Sequence, residues 1–212
     1  MCLRGMILDP ERNYGFVFSD NIAFKYTPEL EPLKERYMKA PGSVCPEDFK
    51  QILGNGIDIG PKIVVLSDAI LSYVSDILRP STILRLNDLK MRSQEDLKEL
   101  FHFRNCKFLV LMMDINGIIR GFDVDSNMEK INEIRTNGTT ISVQGSYFFN
   151  ETAFSRFMDL MNWFYKPESP AYGDDVLKEA LGLELKHVNE TTGLVGDTLY
   201  LVKLSSEGAE WV

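Results

Sequence analysis

The chain is short of the residues that usually announce chemistry. It holds two histidines, His102 and His187, and three cysteines, Cys2, Cys45 and Cys106, among 212 residues. A zinc-type site built on histidine would have to recruit both imidazoles from distant segments, and the cysteines fall at no metal-ligand spacing. Their odd number argues against a disulfide framework and for a reducing compartment. Long apolar runs are also missing. No uninterrupted stretch approaches the roughly 20 residues that cross a bilayer, and the first residues lack a basic segment followed by an apolar one. The expectation is a cytoplasmic protein with no membrane partner, in which the sequons at Asn137, Asn150 and Asn189 are chance matches. Positive charge is the remaining shortage: 23 Lys and Arg stand against 31 Asp and Glu, a net charge of −8. That balance argues against broad electrostatic attraction to nucleic acid or anionic lipid.

Catalytic and cofactor signatures are absent as well. "GNGIDIGPK" has glycines without the spacing, or the lysine and hydroxyl pair, of a phosphate loop, and no serine sits in G-x-S-x-G. Asp123, Asp125 and Asn127 match the first three ligand positions of a calcium loop. Met128 replaces its glycine, however, and Ile134 its closing glutamate. No cofactor and no catalytic residue is therefore assigned, while an active site assembled from dispersed residues stays open.

What is present is ordinary globular material, 44% apolar and 25% charged, long enough for one large or two small cores. Turn chemistry at Asp9-Pro10 and Asn13 predicts a hairpin of residues 3–8 with 14–18, followed by a strand over 22–26. Residues 28–46 carry four prolines and read as an insertion with a helix of at most two or three turns. "PEDFKQILGNG" reads as a helix closed by Gly54, "KIVVL" as a buried strand, and "SDAILSYVSDIL" as a helix. Arg79-Pro80-Ser81 is the predicted boundary between a β-rich module, 1–80, and an acidic α+β domain, 81–212. In the second part, a helix opens at Ser93 to Asp96, and Asn116-Gly117 predicts a type I′ hairpin. Helices are expected over 128–135, 151–166 and 174–181, a strand over 139–149, and a closing hairpin of 184–188 with 199–204. The fold class is α+β with an antiparallel sheet.

"GMILDPERNYGFVF" resembles the opening of the cold-shock domain, a glycine and an apolar strand followed by P-E-K-G-Y-G-F-I. Pro10, Glu11, Arg12, Tyr14, Gly15, Phe16 and Val17 fit that pattern, and Asn13 stands where the family carries glycine. The resemblance covers the first 26 residues. It implies a small OB-like β-barrel for the N-terminal module, with aromatics that stack on single-stranded RNA or DNA. The residues so implied are Arg12 as a backbone contact and Tyr14 and Phe16 as stacking residues, with Phe24 and Tyr26 on the following strand.

Strand alternation sets a second reading beside this one. A face presenting Tyr14, Phe16, Phe24 and Tyr26 leaves Gly15, Val17, Ala23 and Lys25 to fill the core. Burying the aromatics instead makes the hairpin structural. The two functional expectations follow: an accessory protein that binds single-stranded nucleic acid, or an inhibitor or adaptor whose acidic surface meets a basic protein partner. "SSEGAEWV" reads either as a docking segment or as a frayed end.

Overall fold

The computed structural model describes residues 3–25, 27–75, 80–135, 140–144, 159–160 and 173–212. Its first half runs β1 (Arg4–Asp9), β2 (Tyr14–Ser19), β3 (Ile22–Ala23), α1 (Leu30–Lys39), α2 (Pro46–Leu53), β4 (Ile57–Asp58), β5 (Ile63–Val65) and β6 (Ala69–Ser75). Then come α3 (Pro80–Asn87), a 3-10 helix (Asp96–His102), β7 (Cys106–Met113), β8 (Ile119–Asp125), β9 (Lys130–Ile134), β10 (Thr140–Gln144), α4 (Asp174–Thr192), β11 (Tyr200–Ser205) and β12 (Gly208–Trp211). Two compact units are assembled from discontinuous stretches. One holds Met1–Leu3, Asp20–Gly60 and Gly145–Leu199; the other holds Arg4–Ser19, Pro61–Gln144 and Tyr200–Val212.

The second unit is built on two antiparallel five-stranded sheets, ordered β10-β1-β2-β11-β12 and β5-β6-β7-β8-β9. Met6, Leu8, Val17, Val202 and Leu204 of the first sheet share a core with Ile63, Ile70, Leu109, Leu111 and Ile119 of the second. Arg4 lies in this unit fully buried, its Nη1 donating to the carbonyls of Ser72 and Lys107 at 2.9 Å each. On the far face of the second sheet, Leu71, Tyr73, Phe108, Val110, Met112, Phe122 and Val124 pack with Leu86 of α3 and Leu97 and Leu100 of the 3-10 helix. From Phe108 to Met112 β7 is thus buried on both faces, which is why "FLVLM" is a continuous apolar run rather than an alternating one. Among the described strands neither sheet closes on itself, so the chain is α+β with open antiparallel sheets, and the expected barrel is not formed by them.

Two expected elements change type in this unit, and one turn changes geometry. Residues 69–75 form β6, paired on one side to β5 and on the other to β7, instead of a helix. A central strand buried on both faces has apolar residues on both parities, and that pattern mimics helical spacing. Residues 130–134 form β9 instead of a helix, because Glu129 adopts φ 49 and turns the chain back along β8. The Asn116-Gly117 hairpin joins β7 to β8 as expected, but not through a type I′ turn: only Gly117 has positive φ, at 75. Asp114 closes the loop instead, its carboxylate accepting from the backbone N–H of Asn116 and Ile118 at 2.8 and 3.0 Å.

In the first unit, Phe24, Leu30, Leu33, Phe49 and Leu194 form the core, with Ile22, Tyr37 and Ile52 against it. α2 begins at Pro46, closes at Gly54 with φ 66, and has the backbone N–H of Cys45 donating to Asp48 at 2.9 Å. That bond chiefly holds the Asp48 carboxyl below its ordinary range. A polar node organises the rest. Asp20, wholly buried, accepts from the backbone N–H of Leu3 at 3.1 Å and of Gly196 at 2.8 Å. Asn21 donates to Asp58 at 2.9 Å, and its carbonyl accepts from Ile59. Gly196 is needed there because a Cβ would collide with the Asn21 side chain. Of the expected strand over 22–26, Ile22–Ala23 pairs with Asp58 and Ile57, Phe24 and Lys25 are not strand, and Tyr26 lies outside the described residues.

α4 also departs from expectation. It runs unbroken through Gly182 and takes in residues 184–188, which had read as a strand. The closing hairpin is β11 with β12, so "GAEW" is paired strand rather than a frayed end. The helix expected over 151–166 lies outside the described residues except for Asp159 and Leu160, which are helical, and residues 139 and 145–149 of the strand expected over 139–149 lie outside them too.

Candidate functional site

The β1–β2 turn is built by its own side chains. The Asp9 carboxylate accepts from the backbone N–H of Arg12 at 3.1 Å, and Asn13 takes the left-handed conformation, φ 52, that reverses the chain. Asn13 does more than permit the turn. Its amide nitrogen donates to the carbonyl of Gly117 at 2.8 Å, and its amide oxygen accepts from the N–H of Ile119 at 2.9 Å. Two hairpin tips from different sheets are clamped through one side chain.

Next to this clamp stand Arg12 and Tyr14. Arg12 keeps its side chain 59% exposed, with Nε 3.9 Å from Asp9 and Nη1 3.5 Å from the Tyr14 hydroxyl. Tyr14 is half-buried and meets Phe16 edge-on, ring centroids 5.5 Å apart. The Lys203 ammonium lies 5.5 and 5.8 Å from the two ring centres, within cation–π range.

Of the five residues expected to bind nucleic acid, Arg12, Tyr14 and Phe16 are therefore neighbours. Phe24 belongs to the other unit, and Tyr26 lies outside the described residues. Phe16 is 1% exposed and Phe24 6%. A base stacks on the open face of a ring, so neither phenylalanine is placed to receive one. The choice between core and platform had assumed that one face of β2 meets water. β2 instead pairs with β1 and β11, and its residues from Gly15 to Ser19 are buried on both faces.

The more open surface is one the sequence did not reveal. Leu177, Leu181, Leu185, Val188 and Thr192 make the buried stripe of α4. The opposite face, at the same helical spacing, presents Val176, Glu179, Leu183, Lys186 and Glu190. Leu183 is 63% and Val176 38% exposed. Asp175, Glu179 and Glu190 are exposed and form no ion pair with any described residue. α4 carries five carboxylates against two lysines. The expectation of a helix over 174–181 and a strand over 184–188 hides this face, since Val176 and Glu190 then fall outside any shared element.

Asp125 and Asp68, by contrast, are committed to structure. The Asp125 carboxyl is pushed up by burial, but this is outweighed by the Lys107 ammonium at 2.9 Å and the N–H groups of Met128 and Asn127, which hold it below its ordinary range. It closes the β8–β9 turn and is not a free calcium ligand. Asp68 is held low chiefly by Arg92, whose Nε lies 2.8 Å away. Among the described residues no three His, Cys, Asp or Glu side chains are grouped to hold a metal ion. No described helix is long and apolar enough to cross a membrane. Comparison with protein-family models and with curated proteins finds no match to this chain.

Proposed function

We propose that the protein is a binding protein, an inhibitor or adaptor, whose acidic surface engages a basic protein partner through the exposed face of α4. The observation that carries this reading is the unneutralised row of Asp175, Glu179 and Glu190 around the exposed Leu183 and Val176. An apolar centre bordered by three such carboxylates and one lysine, Lys186, suits an amphipathic segment of net positive charge, with burial supplying affinity and charge supplying encounter rate and orientation. The OB-like single-strand reading has less behind it. With Phe16 and Phe24 buried, Arg12 and Tyr14 are its accessible contacts among the described residues, where the pair of open rings that stacking uses is not found.

The test is a fluorescence-anisotropy titration of the full chain. One probe is a labelled helical peptide with leucines at i, i+4 and i+7 and lysines elsewhere; the other is a labelled single-stranded oligonucleotide. Saturable, salt-sensitive binding of the peptide, weakened at least tenfold by Glu179→Lys with Glu190→Lys, is expected. Oligonucleotide binding without peptide binding at low salt overturns the proposal.

A further inference from the structure

The free edge of β12 adds a second surface, in the other compact unit and independent of α4. β12 ends the sheet order β10-β1-β2-β11-β12, and no described element pairs with its outer side. Its register to β11 sets Val202 opposite Trp211, Lys203 opposite Glu210 and Leu204 opposite Ala209, and the N–H of Val212 donates to the carbonyl of Leu201 at 3.0 Å. In an antiparallel pair, hydrogen-bonded and non-bonded positions alternate. Gly208, Glu210 and Val212 therefore direct their backbone groups toward β11, and Ala209 and Trp211 direct theirs outward.

Proteins usually blunt such an edge with lysine, proline or charge. β9, the edge of the other sheet, follows that rule with exposed Lys130 and Asn132 and with Glu133 paired to Arg120. β12 reads Gly-Ala-Glu-Trp, with no lysine and no proline, and its one charge, Glu210, lies opposite Lys203 of β11. Its Trp211 is 51% exposed and stands edge-on to Tyr200, ring centroids 6.3 Å apart, as a ledge beside the open backbone.

We infer that β12 receives an extended segment of a protein partner by strand addition, and that the segment carries a basic residue between two apolar ones. Outward N–H and C=O groups at Ala209 and Trp211 call for another backbone. Ala209 and Trp211 share the face of Val202 and Leu204, so the residues opposite them extend an apolar face. Glu210 lies on the other face and calls for a lysine or arginine across from it. The same charge argues against a second copy of this chain: with Ala209 opposite Trp211, Glu210 falls opposite Glu210.

The experiment titrates the full chain with a labelled, end-blocked hexapeptide alternating valine and lysine. The comparison probes are the same peptide N-methylated at alternate residues and a valine–glutamate counterpart. The expected result is binding of the first, at least tenfold weaker binding of the N-methylated form, and the same loss in Ala209→Pro, which removes an outward donor. Glu210→Lys is expected to shift preference to the valine–glutamate peptide. A urea midpoint and a circular dichroism spectrum of Ala209→Pro matching those of the parent report an intact fold, and the N-methylated arm needs no variant at all. Equal binding of the N-methylated and parent peptides, or no binding at 50 mM salt, overturns strand addition. Loss of hexapeptide binding in Glu179→Lys with Glu190→Lys overturns it too while leaving the α4 reading standing.

Discussion

Asn13 separates two roles that one residue can play in a turn. If it were there only to tolerate positive φ, glycine would serve equally well or better, since glycine populates the left-handed region freely. The structure gives it a second task, the pair of hydrogen bonds to Gly117 and Ile119. Asn13→Gly keeps the backbone conformation and removes both bonds, each worth about 0.5–1.5 kcal/mol net. A loss of roughly 1–3 kcal/mol is expected. For a chain of this size each kcal/mol moves the midpoint by about 2–4 °C, so Tm should fall by roughly 2–12 °C. Asn13→Ala loses the same bonds and keeps the Cβ at φ 52 without asparagine's local tolerance of that conformation, so it should be the more destabilising of the two. Urea denaturation followed by circular dichroism gives both values from the shift in midpoint at constant slope. An Asn13→Gly protein as stable as the parent would refute the clamp.

Other positions give equally direct readings. Gly182 lies inside α4, where an added Cβ meets nothing, so Gly182→Ala should stabilise the protein by about 0.5–1 kcal/mol, seen as a higher urea midpoint. Gly15 is the opposite case: its Cβ would approach the Ile7 carbonyl to 2.7 Å and Leu111 to 2.9 Å, so Gly15→Ala should cost about 1–3 kcal/mol by the same assay. Acid denaturation should follow Asp48, Asp68 and Asp125. Their folded values lie below the ordinary carboxylate range, so the unfolded chain binds more protons in that window. The stability they contribute is present above the unfolded value near about 4 and is lost as pH falls through the lower folded values. Asp125→Asn should flatten the slope of stability against pH below about 4, measured by urea titration at stepped pH.

The parts of the fold legible in the sequence are those where one local signal has one structural outcome. Asp9-Pro10 with Asn13 gave the β1–β2 turn, Asn116-Gly117 gave the β7–β8 hairpin, and Pro46 with Gly54 bounded α2. Where tertiary pairing decides, local reading failed. β6 is a strand because β5 and β7 flank it, and nothing within "AILSYVS" distinguishes that from a buried helix. β9 depends on Glu129 adopting positive φ, which glutamate does not advertise. α4 continues past Gly182 because the stripe from Leu177 to Thr192 is buried along its whole length, and burial outweighs about 1 kcal/mol of poor propensity. The candidate surfaces were hidden for related reasons. The α4 face exists only if the helix is one element, and the β12 edge only if "GAEW" is a strand at the end of a sheet.

Phe16 and Phe18 of the β1–β2 hairpin are core, and the recognition surfaces proposed are α4 and β12. Phe16→Ala, measured for both unfolding free energy and oligonucleotide affinity, tests this most directly. A ring 1% exposed should cost about 3–5 kcal/mol when removed, with affinity for a single-stranded oligonucleotide no different from that of the parent protein. Unchanged stability together with lost oligonucleotide binding would contradict the account and return the hairpin to the role of a stacking platform.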